Sequence, residues 1–173
     1  MQKMVSTEKS NMFVDVIQAH KGIIYKIVNS YCADTEDRKD LTQEIILQLW
    51  KSVDNYIELY KYSTWIYRIA LNVAISFYRK QNSRKRISNT FTDNIINISD
   101  TNITDETDEN IILLQQFISQ LKDLDKALMF LYLEEKSYKE IADIIGISET
   151  NVATKIGRIK KILKQKFLTN KTK

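Results

Sequence analysis

Residues 40–80 read DLTQEIILQLWKSVDNYIELYKYSTWIYRIALNVAISFYRK, and this stretch decides the fold. It contains two helical patterns joined by a short aromatic connector. Apolar residues recur at helical spacing in the first pattern, at Ile45, Ile46, Leu49, Trp50 and Val53. They recur again in the second pattern, at Trp65, Ile66, Ile69, Ala70, Val73, Ala74 and Phe77. Such spacing predicts two amphipathic α-helices, each with one side in a core.

Each predicted helix also has a distinct polar side. Asp40, Gln43 and Glu44 share one face near the start of the first helix, where the helix dipole favours acidic groups. The second helix has a narrow polar and basic stripe, formed by Arg68, Asn72, Ser76 and Arg79. One helix therefore offers carboxylates and an amide, whereas the other offers cations and an amide. This pairing is typical of a protein that holds two unlike partners at once.

The composition favours an all-α protein. The 173 residues include no proline and only three glycines, so we expect few tight turns or hairpins. The apolar fraction of 43% is sufficient for packed cores. No apolar run approaches the ~20 residues of a membrane span, and the first residues lack the apolar centre of a signal peptide. We expect a cytoplasmic protein, and the single cysteine, Cys32, cannot form an internal disulfide.

Charge is distributed in three blocks. Residues 1–82 carry 11 basic and 9 acidic groups, and residues 111–173 carry 12 basic and 7 acidic groups. Between them, residues 87–110 hold six acidic groups and no basic one. We therefore predict a first helical domain over residues 1–82, a flexible linker over residues 83–110 and a second helical domain over residues 111–173. Two basic lobes separated by an acidic strip are compatible with a nucleic-acid-binding protein.

The connector between the two central helices, residues 54–63, carries three tyrosines, at positions 56, 60 and 62. One interpretation, which we favour for Tyr56, is that these rings cover the edge of the core. The other is that they form a stacking surface for unpaired bases, because aromatic rings bind such bases without needing a duplex. The pattern of residues leaves both interpretations open.

The second domain contains the clearest local signals in the chain, within residues 137–163, SYKEIADIIGISETNVATKIGRIKKIL. Ser137 and Glu140 fit a capping box at the start of a short helix, and Gly146 fits the residue after its end. We expect that helix to bury Ile141, Ala142 and Ile145. Ser148 then caps a longer helix, whose inward side is predicted at Val152, Ile156, Ile159 and Leu163. Two such helices joined by a short turn form a helix-turn-helix.

In a helix-turn-helix, the second helix enters the DNA major groove and its first turns meet the base edges. Its outward positions here are Glu149, Asn151, Ala153, Thr154, Lys155 and Arg158. Of these, Asn151, Lys155 and Arg158 have side chains that read bases or bind phosphate. The lysines that follow extend a basic flank suited to contacts with the DNA backbone. The alternative is a solvated basic face on a purely structural helix.

The two halves together resemble a known family. DLTQEIILQLW followed by YSTWIYRIALNVAISFYRK is similar to region 2 of the sigma-70 family, in its compact extracytoplasmic-function (ECF) form. SYKEIADIIGISETNVATKIGRIKKIL is similar to region 4 of the same family. The resemblance covers the chain from about Phe13 to Phe167, with a variable linker in place of region 3. It implies two small all-α domains and the function of a sigma factor, which directs core RNA polymerase to promoters.

The resemblance also implies roles for individual residues. The first central helix is expected to dock on the clamp helices of the largest polymerase subunit through Asp40, Gln43, Glu44, Gln48 and Trp50. The connector resembles the loop that captures a flipped base of the −10 promoter element. The implied contacts to −10 DNA are Tyr62, Ser63, Trp65, Tyr67, Arg68, Asn72, Arg79 and Lys80. Trp65 also fits the apolar stripe, so core packing is an alternative for that residue.

Region 4 of the family reads the −35 duplex and meets the flap of the polymerase. The implied contacts to −35 DNA are Ser137, Tyr138, Ser148, Asn151, Thr154, Lys155, Arg158 and Lys161. Ala153 stands where the family often has a basic residue, and Gly157 stands where it often has a bulky one. The connector also lacks a glycine that is often present there, so promoter sequences do not follow from the resemblance. An anti-sigma factor is a further expected partner, although no residue of this chain supports it.

Two other classes of protein were weighed against this interpretation. An enzyme fits poorly, because the chain has one histidine, one cysteine, no glycine-rich phosphate loop and no carboxylate cluster suited to a metal. We therefore expect no catalytic residue, metal, cofactor or small-molecule substrate. The other class is a free-standing regulator that binds DNA through residues 137–166 and uses its first domain for a partner. Such a regulator has no use for an acidic helix face paired with an aromatic and basic helix.

Overall fold

The computed structural model describes residues 6–56, 58–87 and 106–171. Every regular element within these ranges is helical, and the helices are α1 (Ser6–Tyr31), α2 (Thr35–Ser52), α3 (Tyr62–Ile87), α4 (Glu106–Ser119), α5 (Asp123–Leu133), α6 (Tyr138–Ile145) and α7 (Glu149–Lys171). A short 3₁₀ turn, Val53–Asn55, follows α2. The predicted all-α class is confirmed. None of the described helices is long and apolar enough to cross a membrane.

Helices α1–α3 form the N-terminal lobe. The side chains at its centre have no more than 1% of their surface exposed, and they are Ile27, Leu41, Ile45, Leu49, Ile66, Ala70, Leu71 and Ala74. The stripe predicted on α2 is confirmed at Ile45, Leu49 and Val53 but is wrong at Ile46 and Trp50, which are exposed because they lie at the edge of the buried side. The stripe predicted on α3 is only partly correct, because Tyr67 and Leu71 are buried whereas Val73 is half-buried. This helix packs on α1 and α2 and also on α6, so its buried arc is wider than one stripe.

The predicted linker bounds differ from the helix ends in the structure. Helix α3 continues to Ile87, past the predicted domain boundary at residue 82, and α4 begins at Glu106, inside the predicted linker. The rest of that linker, residues 88–105, lies outside the described residues. Its predicted flexibility therefore stays a prediction.

Helices α4–α7 form the C-terminal lobe. Its centre is fully buried and consists of Ala127, Leu128, Leu131, Ile141, Val152, Ile156 and Ile159. The predicted inward side of α7 is confirmed, including Leu163. On α6, Ile141 and Ala142 are buried as predicted, but Ile144 is buried and Ile145 only half-buried. Because α6 contacts α3 as well as α5 and α7, its buried arc is turned toward Ile144.

The turn between α5 and α6 has an unusual backbone. The amide of Glu135 donates to the carbonyl of Tyr132, and the amide of Lys136 donates to the carbonyl of Leu131, both at 3.1 Å. These two bonds form a Schellman motif, which requires a left-handed residue at its turn. Glu135 occupies that position with φ 57°, although glycine is the residue that adopts it without strain.

Candidate functional site

A groove runs between α2 and α3 on the outside of the N-terminal lobe; we call it the α2–α3 groove. Its volume is about 880 Å³. The α2 wall is polar and mostly acidic, and it contains Asp37, Asp40, Gln43, Glu44 and Gln48. On the α3 side, the apolar floor consists of Ile69, Val73 and Phe77, and the polar lining residues are Asn72, Ser76 and Lys80. Four of the five residues predicted to bind polymerase therefore lie on one concave surface.

The charged residues of this groove lie on both of its helices. Gln48 Nε2 donates to Glu44 Oε1 at 2.7 Å, which holds both side chains against the α2 wall. Asp37 and Asp40 lie in the first half of α2, and Lys80 lies on α3 across the groove. The floor between them is apolar and half-buried. Such a surface can take up a partner segment that presents both apolar and basic side chains.

Trp50, the fifth residue of the predicted polymerase set, lies away from the groove. Its ring meets the edge of Phe13 with centroids 5.1 Å apart, and Lys9 Nζ lies 5.0 Å above it. Lys9 also forms an ion pair with Asp54 at 2.6 Å. About a third of Trp50 remains exposed, 36%. The structure therefore gives Trp50 a packing role, and its predicted polymerase contact stays a prediction.

The connector and the start of α3 form an aromatic cluster. Tyr56 stacks on Tyr62 with centroids 4.5 Å apart and planes at 17°, and the edge of Trp65 meets both rings. The hydroxyl of Tyr56 donates to the carbonyl of Tyr60. Burial within this cluster raises the pKa of Tyr56. The rings are preassembled, so both the packing role favoured for Tyr56 and a stacking role for Tyr62 and Trp65 are compatible with the geometry.

The polar stripe predicted on α3 has two different environments. Asn72 and Ser76 of this stripe line the α2–α3 groove together with Lys80, whereas Arg68 and Arg79 contact the C-terminal lobe. Arg68 lies 5.1 Å from the Tyr60 ring and donates to the carbonyl of Asp143 on α6. Ser63 is half-buried at the start of α3. The predicted −10 residues are thus divided among an aromatic cluster, a groove wall and the contact between lobes.

The remaining residues of that set, Tyr67 and Arg79, lie in the contact between lobes. Tyr67 is 3% exposed, and burial together with the nearby carboxylate of Glu134 raises its pKa to about 12. Arg79 Nε donates to Asp123 Oδ2 at 2.6 Å. No sequence pattern indicated these pairings, because their partners on the other lobe look like ordinary surface residues.

The helix-turn-helix is built as predicted. Ser137 Oγ accepts from the amide of Glu140, whose carboxylate accepts from the amide of Ser137, so the capping box is complete. The Glu140 carboxylate accepts from both the amide and the hydroxyl of Ser137, and these two hydrogen bonds lower the pKa of Glu140. Gly146 ends α6 in the left-handed conformation with φ 80°. Ser148 then caps α7 by accepting from the amide of Asn151 at 3.2 Å.

The outer face of α7 is open to solvent. Four of the predicted −35 residues are exposed on it, namely Asn151, Thr154, Arg158 and Lys161. Lys155 and Tyr138 are half-buried, and the two cap residues, Ser137 and Ser148, are exposed. The predicted set therefore lies along one accessible surface, with its serines already engaged as helix caps.

The structure adds neighbours to this surface that the sequence did not indicate. Arg158 extends from α7 to Asp125 on α5, with the nearest nitrogen–oxygen distance at 3.2 Å. The Asp125 side chain is only 11% exposed, and both of its oxygens accept from the same guanidinium nitrogen, Nη2. Lys160 Nζ donates to Tyr132 Oη at 2.6 Å, and this hydrogen bond raises the pKa of Lys160. No group of three or more metal-binding side chains occurs in the part of the chain that the structure describes.

Comparison with known proteins gives the family. The model of sigma-70 region 2 matches residues 16–84, and the model of sigma-70 region 4 matches residues 111–163. The chain belongs to the sigma-70 family. Region 2 thus coincides with the N-terminal lobe and its groove, and region 4 coincides with the C-terminal lobe and its helix-turn-helix.

Curated relatives place this sigma factor in the ECF group. The ECF RNA polymerase sigma factor SigW of Bacillus subtilis is 25% identical over 175 residues, covering 95% of this chain and 94% of that protein. SigM of the same organism is 27% identical over 154 residues, covering 87% of this chain and 91% of that protein. The ECF sigma-E factor of Haemophilus influenzae is 27% identical over 141 residues, covering 76% and 75%.

Solved structures share the fold of this sigma factor. CnrH in complex with the cytosolic domain of CnrY has a TM-score of 0.62 at 18% identity, covering 90% of this chain and 87% of that one. The sigma factor RpoE in complex with the anti-sigma factor NepR from Bartonella quintana has a TM-score of 0.61 at 15% identity, covering 91% and 95%. Both likenesses span the two lobes.

Proposed function

We propose that this sigma factor binds core RNA polymerase through the α2–α3 groove, reads the −35 duplex with α7 and opens the −10 element with the connector and α3. The observation that carries the proposal is the groove. It brings Asp40, Gln43, Glu44 and Gln48 to one wall, opposite an apolar floor. A free-standing DNA regulator needs no such surface beside its DNA-binding lobe. The clamp helices of the polymerase are the partner that the family provides for it.

The exposed face of α7 supports recognition of duplex DNA. Asn151 and Arg158 present an amide and a guanidinium, the groups that pair with adenine and guanine in the major groove. Lys155 and Lys161 lie on the same helix and are suited to phosphates, so we expect binding to weaken steeply with salt. Contact with the polymerase flap is proposed for the C-terminal lobe on family grounds.

The aromatic cluster of Tyr56, Tyr62 and Trp65 supports a role in opening DNA. Unstacking a base costs a few kcal/mol, and stacking on an aromatic ring returns ~1–3 kcal/mol per base. Leu59 is 83% exposed at the tip of the connector, where it adds an apolar contact. Arg68, Asn72, Arg79 and Lys80 would then hold the separated strand by its bases and phosphates.

The proposal includes no covalent chemistry, so the protein is a transcription initiation factor and not an enzyme. It acts where the polymerase acts, in the bacterial cytoplasm. An anti-sigma factor is a further proposed partner, and the RpoE–NepR complex, a structure of similar fold, supports this. None of these functions requires a cofactor.

The test is binding of the purified chain to core RNA polymerase that lacks any sigma factor. Asp40→Ala, Gln43→Ala and Glu44→Ala are combined in one variant, because together they remove most of the polar α2 wall. We expect at least a hundredfold loss of affinity, since hydrogen bonds to charged groups contribute about 1.5–3 kcal/mol each. Run-off transcription from genomic fragments then identifies promoters.

The matched control replaces the same residue types on α1, with Glu8→Ala, Asp15→Ala and Gln18→Ala in one variant. All three side chains are exposed and lie outside the groove. We expect this variant to bind core polymerase like the unmodified chain. Absence of binding by the unmodified chain, together with specific binding of duplex DNA by the chain alone, would contradict the proposal and favour the free-standing regulator.

A further inference from the structure

Arg158, on the proposed −35 face of α7, is held by a carboxylate of another helix. Its Nη2 atom donates to both side-chain oxygens of Asp125 on α5, at 3.2 and 3.4 Å. The two side chains are unequally exposed, since that of Asp125 is 11% exposed and that of Arg158 is 59% exposed. The carboxylate therefore lies below the surface, and the arginine side chain above it is largely open to solvent.

The position of Asp125 is fixed by the helix that carries it. Asp125 lies in the first turn of α5, where the helix dipole favours a carboxylate. Leu128, one turn later, is fully buried and anchors this part of α5 in the core of the C-terminal lobe. The adjacent Lys126 is directed elsewhere, because its Nζ lies 4.4 Å from the Tyr78 ring on α3. Within the described residues, the ion pair of Asp125 is with Arg158.

This ion pair is poorly suited to stabilising the fold. Both distances are longer than the roughly 2.7–2.9 Å of a strong charge-assisted hydrogen bond. A pair in which one partner is largely exposed also contributes little to the free energy of unfolding. The contact acts instead on orientation, because a fixed carboxylate on one side of the guanidinium limits the directions in which the arginine can point.

Helix α7 itself gives Arg158 little lateral packing. The adjacent Gly157 has no side chain, and a methyl group at that position would meet nothing within 4 Å. Ala153, one turn before Gly157 on the same face, is also small. An unsupported arginine samples many rotamers and loses that freedom when it binds DNA. Asp125 supplies the restriction that neighbours on α7 do not.

An arginine held in this way is suited to guanine. The guanidinium has five N–H donors in a rigid fork, and because the Asp125 contact uses Nη2, the donors on Nε and Nη1 remain for DNA. Guanine presents two acceptors, O6 and N7, on its major-groove edge, and one arginine can bind both. Such a bidentate contact requires a defined orientation of the guanidinium plane. Lys161, exposed on the same helix, is a flexible point charge suited to phosphate.

We propose that Asp125 is a positioning residue for −35 recognition, and that it holds Arg158 in the orientation that reads one guanine of the −35 duplex. This inference rests on the proposed function, in which α7 reads that duplex. The Asp125 carboxylate also repels the DNA phosphates. Asp125 therefore increases discrimination between sequences without increasing affinity for DNA in general.

The experiment compares holoenzymes made from core polymerase and full-length variants of the chain. The probe is a duplex pool built on a promoter found by run-off transcription, with its −35 segment randomised, and the bound DNA is sequenced. The unmodified chain should enrich guanine at one base pair. Asp125→Asn keeps the shape of the side chain but removes its charge, and it should lower that preference about tenfold, within the range that one bidentate pair provides. The affinity averaged over the pool should not fall.

The matched control is Asp123→Asn. It removes the same charge from the same turn of α5, but Asp123 pairs with Arg79 on α3 and not with α7. The control should keep the base preference of the unmodified chain at the −35 segment. A further variant combines Asp125→Asn with Arg158→Ala and should behave like Arg158→Ala alone, because Asp125 acts through Arg158. A merely structural role of Asp125 would lower binding in both backgrounds.

An unchanged guanine preference in Asp125→Asn would overturn the inference, and so would an equal loss of preference in Asp123→Asn. If Arg158→Ala weakens binding to every sequence equally, Arg158 contacts a phosphate, and the inference fails as well. If the unmodified chain does not bind core polymerase, or its holoenzyme selects no −35 sequence, the proposed function itself fails. That result is distinct from the others, because it appears before any substitution is made.

Discussion

The outer faces of α3 and α7 carry similar side chains in different surroundings. On α3, Tyr67 is buried and Arg68 is bonded to the opposite lobe. On α7, Asn151 and Lys161 are exposed, and Arg158 touches only a carboxylate of its own lobe. Both faces are chemically suited to nucleic acid, but part of the α3 face is engaged by the opposite lobe, whereas the α7 face is not. The contrast shows that residue chemistry determines what a face can bind, whereas tertiary packing determines which of its side chains are accessible.

Aromatic residues help to explain why the C-terminal lobe meets α3. Tyr67 and Tyr78 present rings to which Lys136 and Lys126 are attracted. Helix α7 has a single aromatic residue, Phe167, and it packs edge-on against Phe117 within the C-terminal lobe. The outer face of α7 therefore offers no ring to a lysine of the N-terminal lobe.

The largest expected effect is the difference in stability between a substitution on the buried side of α7 and one on its outer side. Ile156 is fully buried, so Ile156→Ala should lower the free energy of unfolding by about 2–5 kcal/mol through lost burial and a cavity. Its neighbour Lys155 is half-buried, and Lys155→Ala should change that free energy by less than about 0.5 kcal/mol. Urea unfolding measures both. Similar losses for the two variants would mean that α7 is not seated as described.

The next effect tests whether the open face of α7 binds duplex DNA while Arg68, which contacts the C-terminal lobe, does not. Arg158→Ala should weaken binding of the free chain to a selected −35 duplex by about 1–3 kcal/mol, because one bidentate base contact is lost. Arg68→Ala should leave duplex binding by the free chain unchanged. Fluorescence anisotropy at fixed salt is the measurement. Equal weakening by both substitutions would remove the distinction between the faces.

A smaller effect concerns the turn that lies over α3. Glu135 is held at φ 57°, a conformation that costs ~1–2 kcal/mol for a residue with a side chain and that glycine adopts without this cost. Glycine also raises the conformational entropy of the unfolded chain, which cancels part of the gain. Glu135→Gly should therefore raise the free energy of unfolding by about 0.5–1 kcal/mol. The control is Glu134→Gly, at a residue with φ −76°, which should lower it. A destabilising Glu135→Gly would show that the left-handed turn is absent in solution.

The smallest effect is a pH dependence at α6, the helix whose Asp143 carbonyl contacts Arg68. The capping box lowers the pKa of Glu140 below its ordinary value of 4.5. Its carboxylate therefore stabilises the fold above pH 4.5, and this contribution is lost as the pH falls through the lowered pKa. Because Glu140 is partly solvated, the effect should be under about 1 kcal/mol. Stability of Glu140→Gln, measured at pH 3 to 7, should lack this component; an unchanged pH profile would contradict it.

Local features of the fold were predictable from the sequence. The capping box of Ser137 and Glu140, the end of α6 at Gly146 and the inward side of α7 all follow from residues within one or two helical turns. The acidic wall of the α2–α3 groove was also predicted, because Asp40, Gln43 and Glu44 share a face by spacing alone. Helix caps, helix ends and helix faces depend on residues that are close together in the chain, so they can be recognised directly in the sequence.

The contact between lobes was not predictable in the same way. Lys26 and Glu134 are separated by 108 positions, and each looks like an ordinary solvated charge. Lys126, next to the buried Asp125, has no local pattern that marks it as 5% exposed beneath the opposite lobe. Such pairings depend on how the two folded lobes pack against each other, and no pattern among neighbouring residues indicates that packing. The burial of Tyr67 was missed for the same reason.

The most direct test of the account measures the separation of the lobes in the free chain. Donor and acceptor dyes are attached at Gln18→Cys on α1 and Gln165→Cys on α7, with Cys32→Ala; both glutamines are exposed. The account predicts high energy transfer, because the C-terminal lobe is seated on α1 and α3 through the Lys26–Glu134 and Arg79–Asp123 pairs. Low transfer would contradict it.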